Sequence, residues 1–424
     1  MSYKKIVTCI YLENGKAIKG FDDHQTVAED AVELAVRYSN LGADELLVFD
    51  LSDTDEEHET ALGIIKEIGR HIDIPVIGAG NIKRTEDVKK LIYAGCQKAA
   101  MNMAKQANID LIEEVSKRFG KDKIAVCADA EEQIIDHFEL LDQYCCGAIL
   151  LNSAPCKGYK SLSVIPVLND LAMEKIPEIL QNSGIAGISG DVINFNVEQI
   201  MPIKRMCADQ GIEMNTYECA FQWSDFKLNT DGHVTVVVQD YKTAQVLMVA
   251  YMNEEAYQKT IETGRMTYYS RSRNELWVKG ETSGHFQYVK ELTADCDMDT
   301  ILAKVSQVGP ACHTGSTSCF FNEILRKEYS DQNPLKVFED VYAVIADRKV
   351  NPKEGSYTNY LFDKGLDKIL KKVGEEATEI VIAAKNPDKE EIKYEMSDFL
   401  YHAMVLMVEN GITWQDITRE LANR

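Results

Sequence analysis

Cysteine and aspartate residues between positions 295 and 319 form the part of the sequence best suited to metal chemistry. The stretch Asp295-Cys296-Asp297-Met298-Asp299 is followed by Cys312 and Cys319. Three thiolates are a good ligand set for zinc, and three protein ligands leave a fourth position for water, as in catalytic zinc sites. On an extended segment the three aspartates point to one side and Cys296 to the other, so the carboxylates suit Mg²⁺. The alternative is that no metal binds, because neither spacing matches a common zinc finger.

Two neighbouring stretches give this region a resemblance to the phosphoribosyl-AMP cyclohydrolase family. They are Tyr269-Ser270-Arg271-Ser272-Arg273 and Leu276-Trp277-Val278-Lys279-Gly280-Glu281-Thr282-Ser283-Gly284-His285, and the resemblance spans about 218–321. It implies hydrolytic opening of the adenine six-membered ring of phosphoribosyl-AMP. It also implies a dimer in which zinc is bound by Cys296 of one subunit with Cys312 and Cys319 of its mate, and Mg²⁺ is bound by Asp295, Asp297 and Asp299.

Polar residues of the same region are candidates for proton transfer and substrate binding. His285 and His313 are alternatives for the proton shuttle, because histidine titrates near the working pH, and the sequence does not choose between them. Arg271, Arg273 and Lys279 are candidate contacts to the phosphate or ribose of the substrate. A hydrogen-bonded structural role for each histidine and a solvated strand face for the three cations are the alternatives.

Acidic residues recur at helical spacing near the C-terminus. Glu375, Glu376 and Glu379 fall on one helical face, and Glu395 and Asp398 repeat the i, i+3 spacing on the next helix. Two facing helices with such pairs could hold Mg²⁺ in a cage of carboxylates. A charged, solvated helix face is the common alternative for a run of this kind.

The sequence around these acids resembles the phosphoribosyl-ATP pyrophosphatase family, of the all-α nucleotide pyrophosphohydrolase (MazG-like) type. The resemblance spans about 336–424 and rests on Ser356-Tyr357-Thr358, Lys372-Val373-Gly374-Glu375-Glu376 and Ser397-Asp398-Phe399-Leu400-Tyr401-His402. It implies Mg²⁺-dependent cleavage between the α and β phosphates, with phosphoribosyl-AMP as the product that the cyclohydrolase would use. The implied metal ligands are Glu376, Glu379, Glu395 and Asp398, with Glu375 as a nearby catalytic candidate and Lys372 as a phosphate contact.

Short apolar runs alternate with helix-like periods over residues 1 to about 215, which predicts a parallel α/β sheet or barrel. Val27–Leu41, Asp87–Tyr93 and Ile109–Phe119 are predicted helices. Gly42 and Gly95 stand where a helix should stop before the next strand. The predicted strands are Ile6–Tyr11, Glu45–Phe49, Pro75–Gly78, Lys98–Met101, Ile124–Cys127 and Ala148–Leu151.

The pattern changes after residue 217. A predicted hairpin of Val234–Val238 and Gln245–Tyr251 opens a mostly β, α+β domain with helices at Glu254–Thr263 and Thr300–Gln307. A polar linker ending at Pro334 precedes a region whose apolar residues repeat at helical spacing, which predicts an all-α domain. The predicted domains are therefore 1–217, 218–326 and 334–424.

The N-terminal region resembles the cyclase subunit of imidazole glycerol phosphate synthase, a (β/α)₈ barrel. Cys9-Ile10, Gly42-Ala43-Asp44-Glu45-Leu46 and Ile77-Gly78-Ala79-Gly80-Asn81-Ile82 carry the resemblance, which covers residues 1 to about 212. Asp129 matches one catalytic aspartate of that family, but the other falls on Tyr11. A tyrosine cannot act as general acid or base near pH 7, because its reference pKa is about 10.

Other departures from the family lie at the same end of the expected barrel. A phosphate-binding glycine of the family is Asn81 here, the segment after Asp129 is short, and residues 183–192 are too few for a seventh helix and an eighth strand. These departures predict a degenerate barrel without cyclase activity, which serves as a scaffold, a dimerisation surface or a regulatory binder. Asn152, Ser153 and Lys157-Gly158-Tyr159 either contact a phosphate or only turn the chain.

The amino-acid composition limits which classes of partner and which cellular compartment are expected. The net charge of −22 disfavours binding to nucleic acid or to an anionic membrane, but a local cation or metal can still attract phosphorylated small molecules. No signal-peptide pattern and no run of about 18 apolar residues is found, so the reducing cytosol is the expected compartment. There, eleven cysteines indicate metal binding or catalysis more than disulfides.

Three functions are compatible with these patterns. The first is a bifunctional hydrolase with an inactive barrel, which the two intact acidic sets favour. The second is a trifunctional enzyme with a working cyclase, against which Tyr11 argues. The third is a non-enzymatic, zinc-stabilised assembly protein, which would not need two sets of carboxylates.

Overall fold

The computed structural model describes residues 3–154, 159, 161–325, 327, 336–386 and 389–422. The chain forms two compact units, residues 1–323 and 324–424. The first unit contains both the predicted barrel and the predicted cyclohydrolase region, and the second is the helical region. No helix among the described residues is both long enough and apolar enough to cross a membrane.

Among the described residues of the N-terminal region, ten strands form one sheet. Eight of them are parallel neighbours, and the other two, β2 and β3, make an antiparallel extension beside the first strand. The six strands predicted from apolar runs are all confirmed within a residue or two. The strands are β1 (Lys5–Glu13), β2 (Lys16–Ile18), β3 (Thr26–Ala28), β4 (Glu45–Asp50), β5 (Val76–Ala79), β6 (Lys98–Asn102), β7 (Ile124–Ala128), β8 (Gly147–Leu151), β9 (Ser163–Val167) and β10 (Gly187–Ile188).

The expectation that the barrel lacks an eighth strand is wrong. Strand β10 pairs in parallel with β1 through Lys5 and Ile6, and a bridge between Val167 and Ser189 joins it to β9. The ring of strand pairings therefore returns to β1. The seventh helix and the eighth strand both fit because each is very short and the helix lies before residue 183.

Helices alternate with these strands and cover the sheet. Asp30 begins the first helix by accepting hydrogen bonds from the backbone N–H groups of Val32 and Glu33, so this helix starts later than the predicted Val27. Gly42 and Gly95 follow helix ends with φ of 96° and 100°, which confirms them as helix stops. The helices are α1 (Ala31–Asn40), α2 (Asp55–His71), α3 (Thr85–Tyr93), α4 (Gln106–Phe119), α5 (Glu131–Asp136), α6 (Phe138–Tyr144), α7 (Ile176–Leu180), α8 (Asp191–Asn194) and α9 (Ile200–Ala208).

Alternation along β1 shows how the barrel core is built. Val7, Cys9 and Tyr11 belong to the apolar cluster inside the barrel, whereas Ile6 and Ile10 belong to the layer between strands and helices. Successive strand residues point to opposite faces, so one strand serves both layers. The barrel is consequently packed on both sides of its sheet.

The middle region forms a four-stranded sheet in the order β12-β11-β16-β15, plus a separate hairpin of β13 and β14. The hairpin of β11 and β12 and the helix α10 are confirmed. The helix predicted at Thr300–Gln307 is wrong: these residues form β16, in which Ile301, Ala303 and Val305 alternate into the core. The elements are β11 (Val234–Asp240), β12 (Val246–Met252), α10 (Glu254–Thr263), β13 (Thr267–Ser270), β14 (Glu275–Val278), β15 (Gln287–Ala294) and β16 (Thr300–Gln307).

The described residues of the second unit form five helices, which confirms the predicted all-α fold. Its core contains Ile345, Leu361, Ile369, Met404 and Val405. The predicted linker, residues 330–334, lies outside the described residues. The helices are α11 (Val337–Val350), α12 (Tyr357–Lys364), α13 (Leu366–Lys385), α14 (Lys389–Glu409) and α15 (Trp414–Ala422).

Candidate active sites

The three aspartates of the middle region converge in the turn between β15 and β16. One oxygen from each of Asp295, Asp297 and Asp299 lies within 4.8 Å of the others, and all three side chains are exposed. The Asp295 carboxylate accepts hydrogen bonds from the backbone N–H groups of Asp299 at 3.1 Å and Thr300 at 3.2 Å. The expected extended geometry is wrong, because the chain reverses here between antiparallel strands. The turn itself brings the carboxylates together.

Two of the three cysteines are neighbours in the chain's fold. Cys312 is buried and is hydrogen-bonded to Cys319, and the Thr314 hydroxyl donates to the Cys312 sulfur at 3.1 Å. These bonds, Thr314 first, lower the pKa of the Cys312 thiol, which favours the thiolate that metals bind. Cys296 is exposed on the aspartate turn. Within one chain, the described residues do not bring Cys296 together with the other two as a metal-ligand group.

The two candidate histidines occupy different surroundings. The half-buried His285 ring packs on Gly309, where an added Cβ would lie only 2.7 Å from the ring's Cδ2, so the absence of a side chain there gives the ring its place. His313 is exposed, and its Nδ1 lies 3.9 Å from the Cys312 sulfur. His313 therefore stands beside the cysteine pair, and His285 is the more fixed of the two rings.

Three cationic residues were predicted to bind the substrate, and the structure brings two of them together. Arg271 and Arg273 line an open cavity of about 610 Å³ with Tyr251 and Trp277. The Arg271 guanidinium lies 3.8 Å from the centroid of the Tyr251 ring. Lys279 is not at this cavity. It is buried, burial lowers its pKa, and the nearby Cys319 and Cys312 oppose that shift.

In the helical unit, acidic side chains of α13 and α14 face one another. Oxygens of Glu376, Glu395 and Asp398 lie within 4.8 Å of each other, and Glu376 is buried. Glu379 is more exposed and hydrogen-bonds to Glu395. Burial and then the charge of Glu379 raise the pKa of Glu395, so bringing these carboxylates together is unfavourable without a cation.

Lys372 connects two of the predicted glutamates. Its ammonium lies 3.0 Å from Glu375 and 3.2 Å from Glu376. Hydrogen bonds from Lys372 and Lys371 lower the pKa of Glu375. Glu375 is thus held as a carboxylate at the edge of the cluster, and Lys372 is engaged by acids of its own helix.

His402 is a site residue that the sequence patterns did not single out. It is buried, and its Nδ1 lies 2.8 Å from the Asp398 carbonyl oxygen and 3.6 Å from Glu376 Oε1. Its Nε2 lies 3.1 Å from the Tyr357 hydroxyl. The spacing of four residues from Asp398 was the available signal, since it places both side chains on one helix face.

The cavity at the carboxyl ends of the barrel strands has a volume of about 540 Å³ and is lined by both Tyr11 and Asp129. The Tyr11 ring is buried, stacks on Phe49 at 5.1 Å and meets Phe21 edge-on at 4.9 Å. Burial raises the pKa of Tyr11 further above its ordinary value. Only Asp129 and Ala130 separate β7 from α5, as the short segment predicted.

The other predicted barrel contacts are dispersed. Asn81 and Asn152 have φ of 50° and 57° and line the cavity. The Ser153 hydroxyl donates to the Leu151 carbonyl at 3.5 Å. Lys157 and Gly158 lie outside the described residues, and Tyr159 stacks on Phe138. Residues that only turn the chain make the same kinds of contact, so these contacts do not choose between a phosphate site and a turn.

Family models match three parts of the chain. Residues 5–180 match the model described as Histidine biosynthesis protein. Residues 248–321 match Phosphoribosyl-AMP cyclohydrolase, and residues 338–424 match Phosphoribosyl-ATP pyrophosphohydrolase. The last two matches contain the aspartate turn, the cysteines and the helical carboxylates described above.

Three curated relatives carry the printed name histidine biosynthesis bifunctional protein HisIE. The protein of Thermoanaerobacter pseudethanolicus is 54% identical over 210 residues, covering 46% of this chain and 97% of the relative. That of Bacillus subtilis is 48% identical over 203 residues, covering 48% and 96%, and that of Deinococcus radiodurans is 43% identical over 201 residues, covering 47% and 92%. The chain thus contains nearly the whole length of each relative. It therefore belongs to the family of histidine biosynthesis bifunctional proteins HisIE and is a bifunctional hydrolase, with phosphoribosyl-AMP cyclohydrolase and phosphoribosyl-ATP pyrophosphatase activities, that also carries an N-terminal histidine-biosynthesis-type barrel.

Proposed function

We propose that the cyclohydrolase uses zinc held by Cys296, Cys312 and Cys319, with Cys296 supplied by the second subunit of a homodimer. The observation that supports this proposal is the pairing of Cys312 with Cys319 while Cys296 projects, exposed, from a separate turn. Soft sulfur donors suit zinc, and the lowered pKa of Cys312 suits a ligand thiolate. When bound, zinc supplies Lewis-acid activation of the hydrolytic water at near-neutral pH.

The chain's own residues then bind the substrate and handle the proton. Arg271, stacked on Tyr251, and Arg273 present guanidinium groups to an open cavity, where they would hold the phosphate and ribose of phosphoribosyl-AMP. His285 and His313 remain alternative groups for moving the proton to and from the opening ring. Asp295, Asp297 and Asp299 offer hard oxygens at one turn, which fits Mg²⁺.

A subunit-mixing experiment tests the shared zinc site. Chains with Cys296→Ser and chains with Cys312→Ser are each expected to lose ring-opening activity and bound zinc. A dimer that contains one chain of each kind keeps one intact site, so mixing should restore roughly a quarter of the wild-type zinc and activity under random pairing. Zinc retained by the Cys312→Ser protein, or no recovery on mixing, would contradict the proposal. Thr243→Val chains, changed at an exposed turn of the same domain, serve as the control.

For the pyrophosphatase, we propose that Glu376, Glu379, Glu395 and Asp398 hold Mg²⁺. The supporting observation is the convergence of Glu376, Glu395 and Asp398 across two helices, with Glu379 bonded to Glu395. When bound, Mg²⁺ would neutralise charge on the departing pyrophosphate. Glu375, kept as a carboxylate by two lysines, would orient the attacking water, and Lys372 would contact a substrate phosphate.

An exposed apolar stripe on α13 supports the homodimer. Leu366, Leu370 and Val381 fall on one face of this helix at spacings of four and eleven residues, and each is more than 40% exposed. Exposed apolar side chains aligned on one helix face mark a protein interface more often than scattered ones do. A second copy of the helical unit is the occupant we propose.

We propose that the barrel has no cyclase activity. Tyr11 stands where the cyclase family that the barrel resembles has a carboxylate, and its burial in an aromatic cluster holds its hydroxyl protonated. The intact protein should form no imidazole glycerol phosphate under conditions in which it releases pyrophosphate and opens the ring. Measurable cyclase turnover would contradict this assignment.

The ten described cysteines are all free thiols, which supports a reducing cytoplasmic location.

A further inference from the structure

Strand β15 is one of the elements through which the cyclohydrolase domain contacts the barrel. Three consecutive residues make the contact. Tyr288 is buried in the same apolar cluster as the barrel's outer layer, and the Val289 carbonyl accepts a hydrogen bond from the Tyr217 hydroxyl at 2.9 Å. The Lys290 ammonium lies 3.3 Å from Asp73, in the loop before β5. Apolar burial, a neutral hydrogen bond and an ion pair therefore fix one short stretch of strand.

Arg265 strengthens this contact from the side. Its guanidinium lies 4.8 Å from the Phe286 ring and 5.8 Å from the Tyr288 ring, and it forms an ion pair with Glu198 of the barrel. Glu198 is held in turn by Arg37 at 2.7 Å. The two aromatic rings already hold the planar Arg265 guanidinium in place. Forming the ion pair with Glu198 therefore costs Arg265 less conformational entropy than a typical surface ion pair costs.

Asp73 is a second anchor on the barrel. It accepts a hydrogen bond from the Tyr241 hydroxyl and lies near the ammonium groups of Lys290 and Lys242. Although burial acts in the opposite direction, these partners hold the pKa of Asp73 below its usual range. Since Tyr241 belongs to the turn between β11 and β12, Asp73 ties two separate elements of the cyclohydrolase sheet to the barrel.

The two ends of β15 lead to different proposed ring-opening sites of the homodimer, because the aspartate turn carries the Cys296 that would serve the second subunit. His285 lies two residues before the strand begins, and Asp295 follows its last residue. We infer that the barrel acts as an internal positioning element for the cyclohydrolase, with Glu198 and Arg265 as positioning residues that fix the strand carrying His285 and the aspartate turn. The inference rests on the roles proposed above for these residues.

The physical basis is geometric. A displacement of about 1 Å at a reacting group can lower a rate roughly 100-fold, even when the substrate still binds. Loosening β15 would move His285 relative to Cys312 and Cys319 in one proposed site, and it would move the aspartate turn relative to the cysteine pair of the partner subunit in the other. The substrate cavity at Arg271 would remain, so catalysis should suffer more than binding.

The test measures both activities of the intact protein in Arg265→Met, Arg265→Lys and Glu198→Gln variants. Arg265→Met and Glu198→Gln should lower kcat for ring opening about 10-fold with KM within about 2-fold, while pyrophosphate release is unchanged. The double variant should be no worse than the poorer single variant, because the two residues act through one contact. Arg265→Lys, which keeps the charge, should recover most of the loss. Glu113→Gln, at an exposed ion pair on α4, is the matched control.

Ring opening within about 2-fold of wild type in both Arg265→Met and Glu198→Gln would overturn the inference. So would a loss that disappears at low temperature together with the unfolded fraction, since that would show a stability effect alone. Asp295→Asn in the same assay separates the two proposals. Retained ring opening in Asp295→Asn contradicts the metal assignment, whereas loss there with full activity in Glu198→Gln contradicts only the positioning role.

Discussion

Replacement of Glu376 by glutamine should abolish pyrophosphate release and leave ring opening intact. The Glu376 side chain is only 5% exposed, and one oxygen lies 3.2 Å from Lys372 and 3.6 Å from His402. The amide keeps the shape but removes the charge that a divalent cation needs. Because losing an outer partner of a metal ligand already costs roughly 10- to 100-fold, loss of a ligand should lower kcat/KM at least about 100-fold.

The same change has a separate effect on stability. A fully buried broken ion pair costs about 3–5 kcal/mol, but Lys372 is partly exposed and keeps Glu375, so about 1 kcal/mol is the appropriate scale. Relief of repulsion among the carboxylates offsets part of this cost when no metal is present. Mg²⁺ at about 100 times its dissociation constant would stabilise the wild-type unit by about 2.7 kcal/mol, or roughly 10–20 °C in Tm. The variant should show little of that increase.

Pyrophosphate release and thermal unfolding, each followed over a Mg²⁺ titration, provide the measurements. Glu391→Gln makes the same chemical change at an exposed position of α14 and is the control. Ring opening from phosphoribosyl-AMP, measured on the same samples, reports that the rest of the chain is folded. The reasoning is refuted if Glu376→Gln retains more than about one-tenth of the wild-type rate at saturating Mg²⁺, or if Mg²⁺ raises its Tm as much as that of wild type.

Two further changes test other parts of the structure. His402→Asn removes the ring between Asp398, Glu376 and Tyr357 and should lower pyrophosphate release about 10-fold in a steady-state assay, with ring opening unaltered; an unaltered rate would show that the ring only packs. Asp73→Asn should lower the thermal stability of the first unit at pH 7. Because the pKa of Asp73 is lowered in the folded state, its contribution is present above the ordinary aspartate pKa and is lost as pH falls through the folded value. The Tm difference from wild type should therefore shrink below about pH 4, and a constant difference would contradict this.

Periodicity predicted the long or strongly apolar elements and missed the short ones. Strand β9 contains Pro166, which lacks an N–H group and argues against a strand, and β10 has only two residues. Both exist because neighbouring strands complete the ring of pairings. In β16, adjacent Ile301 and Leu302 followed by Val305 fit a helical spacing as well as an alternating one, and only the pairing with β11 and β15 decides between them.

Residue spacing located groups of side chains that the fold brings together, but it did not predict how they come together. The aspartates of the β15–β16 turn were found by spacing, although a turn and not an extended strand brings them together. His402 was missed because its contact with Glu376 depends on how α13 packs on α14. The proposed convergence of Cys296 with the other cysteines would need a second chain, which no pattern within one sequence can place.

The barrel's cavity and its contact with the cyclohydrolase lie at different places, which makes the proposed loss of cyclase activity compatible with the proposed positioning role. Tyr11 and Asp129 lie at the carboxyl ends of the strands, where barrel active sites form. Asp73 lies between α2 and β5, at the opposite end, and it is this end that contacts the cyclohydrolase through Tyr241 and Lys290. The remaining interior apolar residues lie between the cavity and the contact with β15, so we expect substitutions of polar cavity residues to leave that contact unchanged. The positioning role therefore requires a folded barrel but not a working one, and substitutions confined to the cavity, such as Asp129→Asn, should leave ring opening unaffected while Glu198→Gln does not.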